Sequence, residues 1–184
     1  TSKNVFTNKY IILTKNLNFK SKYSYNDSTR TDFGNLNNDD TDGNSLITEM
    51  TTGTGFIPIA DYAGNFDGRE HTIANIYINA LEGDKTSKAL IKNATKNASI
   101  MNLCVTGTVK SEWQAAGIVA YGVNNGEIKI INCINKANIT GKNMVGGIAA
   151  SYMKIIENCT NYGNVEITGS EYRICWYWGN NRSR

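Results

Sequence analysis

The chain has 184 residues, the size of one domain or of one large piece of a longer protein. Its 19 basic and 16 acidic residues leave a net charge of +3, too small to argue for nucleic acid or a membrane surface as partner. One proline and 17 glycines exclude collagen-like and proline-rich chains, and apolar runs such as GIVAY (117–121) are too short to make a transmembrane helix.

The informative bias is asparagine. There are 26, set among many Val, Ile, Thr and Tyr residues, which predicts β-structure with many tight corners. The N-terminal TSKNVFTNKY has no basic start followed by an apolar stretch, so no signal peptide is read from it. Four cysteines at 104, 133, 159 and 175 include no C-x-x-C pair, which argues against a disulfide scaffold and a zinc site.

In chain order, residues 20–54 come first as a polar, glycine-rich insert. Within it Asn38, Asp40, Asp42 and Glu49 stand at calcium-loop spacing with Gly43 between. Asparagine at the first position and Ser45 where an apolar residue is usual favour an ordinary solvated loop, so no metal is assigned. The segment IANIYI (73–78) then reads as a faint repeat copy, with Asn75 placed 27 residues before Asn102, and SKALIKNA (87–94) stands where its second motif belongs.

Clear repeats follow. IMNLCVTGTV (100–109), IINCINKANI (130–139) and IENCTNYGNV (156–165) align with Asn102, Asn132 and Asn158 in one column, at spacings of 30 and 26. AGIVAYG (116–122), GGIAASY (146–152) and YRICWYW (172–178) repeat with the same two spacings. Within a copy the apolar residues alternate, putting Leu103, Val105 and Val109 on one face, then Cys133, Ala137 and Ile139, then Cys159, Val165 and Ile167. No stretch reads as an amphipathic helix. Short strands and corners repeating every 26–30 residues predict a parallel β-solenoid, here of about six coils in a single domain over 1–184. Asn135 and Asn161, and likewise Asn132 and Asn158, are expected to stack as amide ladders, with Ile118, Ile148 and Ile174 in one buried column. Cys133 and Cys159 take the column of Leu103 and are expected to be reduced, inward core residues that stay unreactive until unfolding.

The segment GFIPIADYAGNFDGREHTIANIYI (55–78), the strand KYIILTKNLNF (9–19) and the repeats together resemble secreted bacterial GLUG-motif repeat proteins. The resemblance implies a right-handed parallel β-helix of the pectin-lyase-like kind on exported surface proteins. Such repeats accompany adhesin regions or IgA-type metallopeptidases and carry no conserved catalytic residue. Three departures stand out: Glu70 in place of glycine before His71, Ala120 and Ala150 for the second glycine of GIVG, and Arg173 with CWYW in the last copy.

No catalytic constellation assembles in the sequence. His71 is the single histidine and falls at a corner of the motif. In repeat register Glu157 aligns with Met101 and Ile131, and Glu166 with Lys110 and Thr140, so acids do not stack as a lyase or paired-carboxylate hydrolase would need. The six Asn-x-Ser/Thr sequons follow from composition, and no glycosylation is read from them. Trp176, Tyr177 and Trp178 suit a cap over the last coil, an end-to-end homodimer edge or a sugar-stacking platform, closure of the edge being the favoured reading. The expectation is therefore a non-catalytic, cofactor-free stalk or recognition module, secreted or at the cell surface, with a host or glycan ligand. The alternatives are an accessory region of a surface metallopeptidase and, less favoured, a polysaccharide-cleaving β-helix.

Overall fold

A computed structural model describes residues 6–19 and 53–169. These residues form strands and turns with no helix, and all the strand-to-strand pairing is parallel, as a β-solenoid requires. One face stacks β1 (Tyr10–Ile12), β3 (Asn65–Asp67), β6 (Ser99–Met101), β10 (Lys129–Ile131) and β15 (Ile155–Glu157). A second face joins β2 (Leu17–Asn18) to β4 (Thr72–Asn79) and β4 to β7 (Cys104–Lys110). Beyond β7 it continues as the broken strands β11 (Ile134–Asn135) with β12 (Asn138–Gly141), and β16 (Thr160–Asn161) with β17 (Val165–Ile167). The third is made of β5 (Ile91–Ala94), β9 (Val119–Gly122) and β14 (Ala149–Ser151), with β8 (Ala115–Ala116) and β13 (Val145–Gly146) beside it.

Strands occupy all three faces in about three turns, fewer than the six coils expected. The passes through β1–β2 and β3–β4 place no strand on the third face, where the latter contributes single bridges, Ile59 to Ile91 and Tyr62 to Ala94. The copy at 172–178 lies outside the described residues.

The register in the later coils is the one the repeats predict. Ile131 pairs with Met101 and Glu157, Thr140 with Lys110 and Glu166, and Asn135 with Asn161. Alternation carries Leu103, Val105 and Val109, and then Cys133, Asn135, Ala137 and Ile139, into a core that is essentially dry. Ile118 donates its backbone N–H to the carbonyl of Ile148, and both side chains are fully buried in that core. Cys159, Val165 and Ile167 pack against the same core but are only half-buried.

One alignment is corrected. Asn75 does not share the column of Asn102; the register puts Gly68 there, and Asn102 Nδ2 donates to the carboxylate of the neighbouring Asp67 at 2.9 Å. The corner Asp67–Thr72 spans two residues more than the Met101–Cys104 corner it stacks on, since Asp67 pairs with Met101 and Thr72 with Cys104. A register shift between Ile73 and Ile76 then adds a third extra residue on the same strand. Asn75 occupies that bulge with φ +59°, its N–H on Thr106 Oγ1 and its amide on Asn18 Oδ1. Asparagine's tolerance of left-handed backbone suits both places, so the residue type alone could not distinguish a bulge from a corner.

Truncating a fully enclosed aliphatic tests the register. Ile148→Ala is expected to cost about 2–5 kcal/mol in chemical denaturation, as for other large-to-small core changes. A loss under about 1 kcal/mol would mean that the residue is not enclosed between coils.

Candidate functional site

Trp176, Tyr177, Trp178, the calcium-spaced Asn38, Asp40, Asp42 and Glu49, and the insert apart from its last two residues all lie outside the described residues. Among the described residues no group of three or more His, Cys, Asp and Glu side chains is placed to hold a metal ion. Three carboxylates sit in separate ion pairs. Asp84 pairs with Lys88 at 2.8 Å, Glu112 with Lys142 across two coils, and Glu127 with Lys154 at 3.5 Å.

His71 is a corner residue. Its backbone N–H donates to the carbonyl of Gly68, and its own carbonyl accepts from Cys104. The same corner shows why asparagine recurs. Asn102, Asn132 and Asn158 all have φ between 51 and 53°, a left-handed backbone that asparagine tolerates and most residues do not. The amides of the first two chain along the solenoid, Asn132 Nδ2 donating to Asn102 Oδ1 at 3.1 Å and Asn102 to Asp67. Asp67 is held below the usual carboxylate range by the Asn102 amide and the Arg69 backbone N–H, both of which favour its charged form.

Glu70 takes φ +63° in this corner, at the position where the resembling family carries glycine. A left-handed residue with a Cβ costs of order 1–2 kcal/mol, part of which glycine gives back through its greater freedom in the unfolded chain. Glu70→Gly is accordingly expected to raise stability by about 0.5–1 kcal/mol in thermal or urea unfolding, and a destabilised variant would show that the Glu70 side chain supports the corner.

The two cysteines stack as expected but are not equivalent. Both are free thiols; Cys133 is fully enclosed and Cys159 half-buried in the last described coil. The backbone N–H of Cys133 points at Cys159 Sγ, 3.4 Å away. The adjoining Cys133 side chain and that N–H favour the Cys159 thiolate and bring its pKa down to about 7 against the cost of partial burial. The same partnership and burial push Cys133 upward. Both thiols are free and packed in or against the core as expected, and their unequal burial makes Cys159 the one expected to react first. Alkylation followed by peptide mass mapping should modify native Cys159 with a rate that rises through about pH 7, while Cys133 waits for unfolding. Equal modification of both in the native protein would contradict the arrangement.

A further group, which the sequence did not single out, lies on the outer surface of the third face. Asn93 and Tyr121, both half-buried, are register partners in successive coils, with the buried Ser151 following in the next. Asp61 precedes them by one pass and exchanges two bonds with Asn93, its N–H to Oδ1 at 3.1 Å and its carboxylate from Nδ2. Tyr152, 52 % exposed, sets its ring edge-on to that of Tyr121, with centroids 5.5 Å apart and planes at 73°. Nothing in the spacing of AGIVAYG and GGIAASY marked these tyrosines, because Tyr121 aligns with a serine and Tyr152 with a glycine.

No known protein-family model matches the chain, and no solved structure matches it. Among curated proteins, halomucin of Haloquadratum walsbyi is similar, at 31 % identity over 124 residues. The match covers 59 % of this chain and 1 % of halomucin, so the chain corresponds to a very small part of that protein.

Proposed function

We propose that this chain is a non-catalytic β-helix module, a stalk or recognition surface of an exported protein that meets a host or glycan ligand at the cell surface. The observation that carries the reading is where the polar side chains are spent. Asn102, Asn132, Asn135, Asn161, Asp67 and Asp61 all bond from one coil to the next, building a rigid rod rather than converging on a cleft. A catalytic centre needs groups gathered around one reacting atom. The resemblance of the repeats to GLUG-motif proteins supports an exported setting. So does the likeness to halomucin, whose name marks a mucin-type protein.

The test pairs retention with turnover. Labelled protein applied to an array of neutral and acidic glycans and mucin glycoproteins should be retained on a defined subset, while a reducing-end assay on the same glycans stays at background. Release of reducing ends would make the chain an enzyme. Absence of retention on every glycan and glycoprotein would remove the recognition role.

A further inference from the structure

We infer that Asp61, Asn93, Tyr121 and Tyr152 form a binding row for a neutral oligosaccharide, an assignment that rests on the recognition reading above and gives it a site. The starting point is the backbone of Tyr152. Its φ is +54°, in the left-handed region, where a bulky aromatic is a genuine outlier. Its neighbours in the stack show what the strain achieves. Tyr62 bridges to Ala94 and Ala94 pairs with Gly122, all three of them buried, and Tyr152 follows in the next coil. Gly122 does not share the positive φ. The left-handed turn at Tyr152 therefore re-aims a position that points inward in the earlier coils, and carries its ring out to solvent beside Tyr121.

The fold uses the turn, which lets Met153 into the core against Gly122, but it does not need tyrosine there, since glycine or asparagine would make the turn with less strain. An exposed ring contributes little burial, and one edge-on contact with a neighbouring tyrosine returns a modest part of what the left-handed backbone costs. An exposed aromatic kept where a smaller residue would be less strained is the kind of outlier that points to a ligand-facing group.

The rest of the row sets the class of ligand. Along the solenoid axis it runs through four passes of chain, roughly 14 Å at about 4.8 Å per pass, the reach of a short oligosaccharide. The two tyrosines offer an aromatic face and an aromatic edge, suited to the C–H side of a sugar ring and to its hydroxyls. Asp61 and Asn93 brace one another through paired bonds, which leaves the second carboxylate oxygen of Asp61 to accept from a ligand hydroxyl without first being ordered. The row carries a carboxylate and no cation, so anionic ligands such as nucleic acid or sulfated glycans are disfavoured. Four side chains are also far short of the roughly 800 Å² per partner that a stable protein interface buries.

The test uses the full chain, titrated with maltotriose, cellotriose, chitotriose and mannotriose by calorimetry and saturation-transfer NMR. The wild type should bind at least one trisaccharide. Tyr152→Gly should weaken that binding tenfold or more while raising the melting temperature, since glycine relieves the left-handed backbone. Tyr121→Ala and Asn93→Ala should weaken it severalfold, and Tyr162→Ala, which removes an exposed ring elsewhere, should leave it unchanged. A Tyr152→Gly protein of lower melting temperature would make the tyrosine structural and overturn the inference. Trisaccharide binding that ignores all three row variants would overturn the row and leave the recognition reading standing. Failure to bind any trisaccharide, with retention on the glycan array, would do the same; failure in both would overturn row and reading together.

Discussion

Inside the solenoid, two buried amides face two glycines across the core, and much of the architecture depends on that contact. Asn135 is fully buried and Asn161 nearly so, yet both point inward among aliphatic side chains. Their polar atoms are met locally and between coils. Asn135 Nδ2 donates to the carbonyl of Ala137 and to Asn161 Oδ1 at 2.7 Å, Asn135 Oδ1 accepts from the N–H of Ala137, and Asn161 Nδ2 donates to the carbonyl of Gly163. An amide left unpaired there would cost a few kcal/mol, so the stacking register of this column admits no slip. A Cβ on Gly117 would come within 2.2 Å of Asn135 Oδ1, and one on Gly147 within 2.3 Å of Asn161 Cγ. Glycine on the opposite face is what makes room for the asparagine.

That contact explains why the two repeated motifs share both spacings. They are the two sides of one packing arrangement, and an insertion between them in any coil would have to preserve it. It also accounts for the evenness of the later coils compared with the first. Where the core presents Ile73, Ile76 and Tyr62 instead of the asparagine–glycine pair, corners lengthen and bulges appear. Tyr62 is wholly buried with no hydrogen-bond partner for its hydroxyl among the described residues, and desolvation raises its pKa to about 12. Here packing of a large ring outweighs satisfaction of one polar atom.

Most of the fold was legible in the residues because a solenoid writes its geometry as periodicity. Alternation placed Leu103, Cys133 and Ile139 in the core, and the shared spacings aligned Asn135 with Asn161 and Ile118 with Ile148. The first complete copy was misaligned at Asn75, since extra corner residues and a bulge shift the count without changing which residue types suit left-handed backbone. The outward tyrosines were illegible for the opposite reason. Repeat analysis finds what recurs, and Tyr152 breaks the repeat; its orientation comes from a single dihedral that no pattern of types encodes. The asymmetry of the thiols was hidden likewise, because identical residues in one column differ only in how deeply their coils are covered.

The described residues on either side of 20–52 lie side by side on the wall. The Phe19 and Phe56 rings pack with centroids 5.1 Å apart, and Thr54 and Phe56 bond back along β4 at Asn79 and Tyr77. Departure and return are thus pinned together by side chains and backbone that belong to the solenoid. The entropy of closing a flexible connection between fixed ends rises only as the logarithm of its length, about 0.6 kcal/mol for each doubling. Because both ends are fixed by the coils themselves, a change in the number of residues between them alters the closure cost little and leaves the register of the coils untouched.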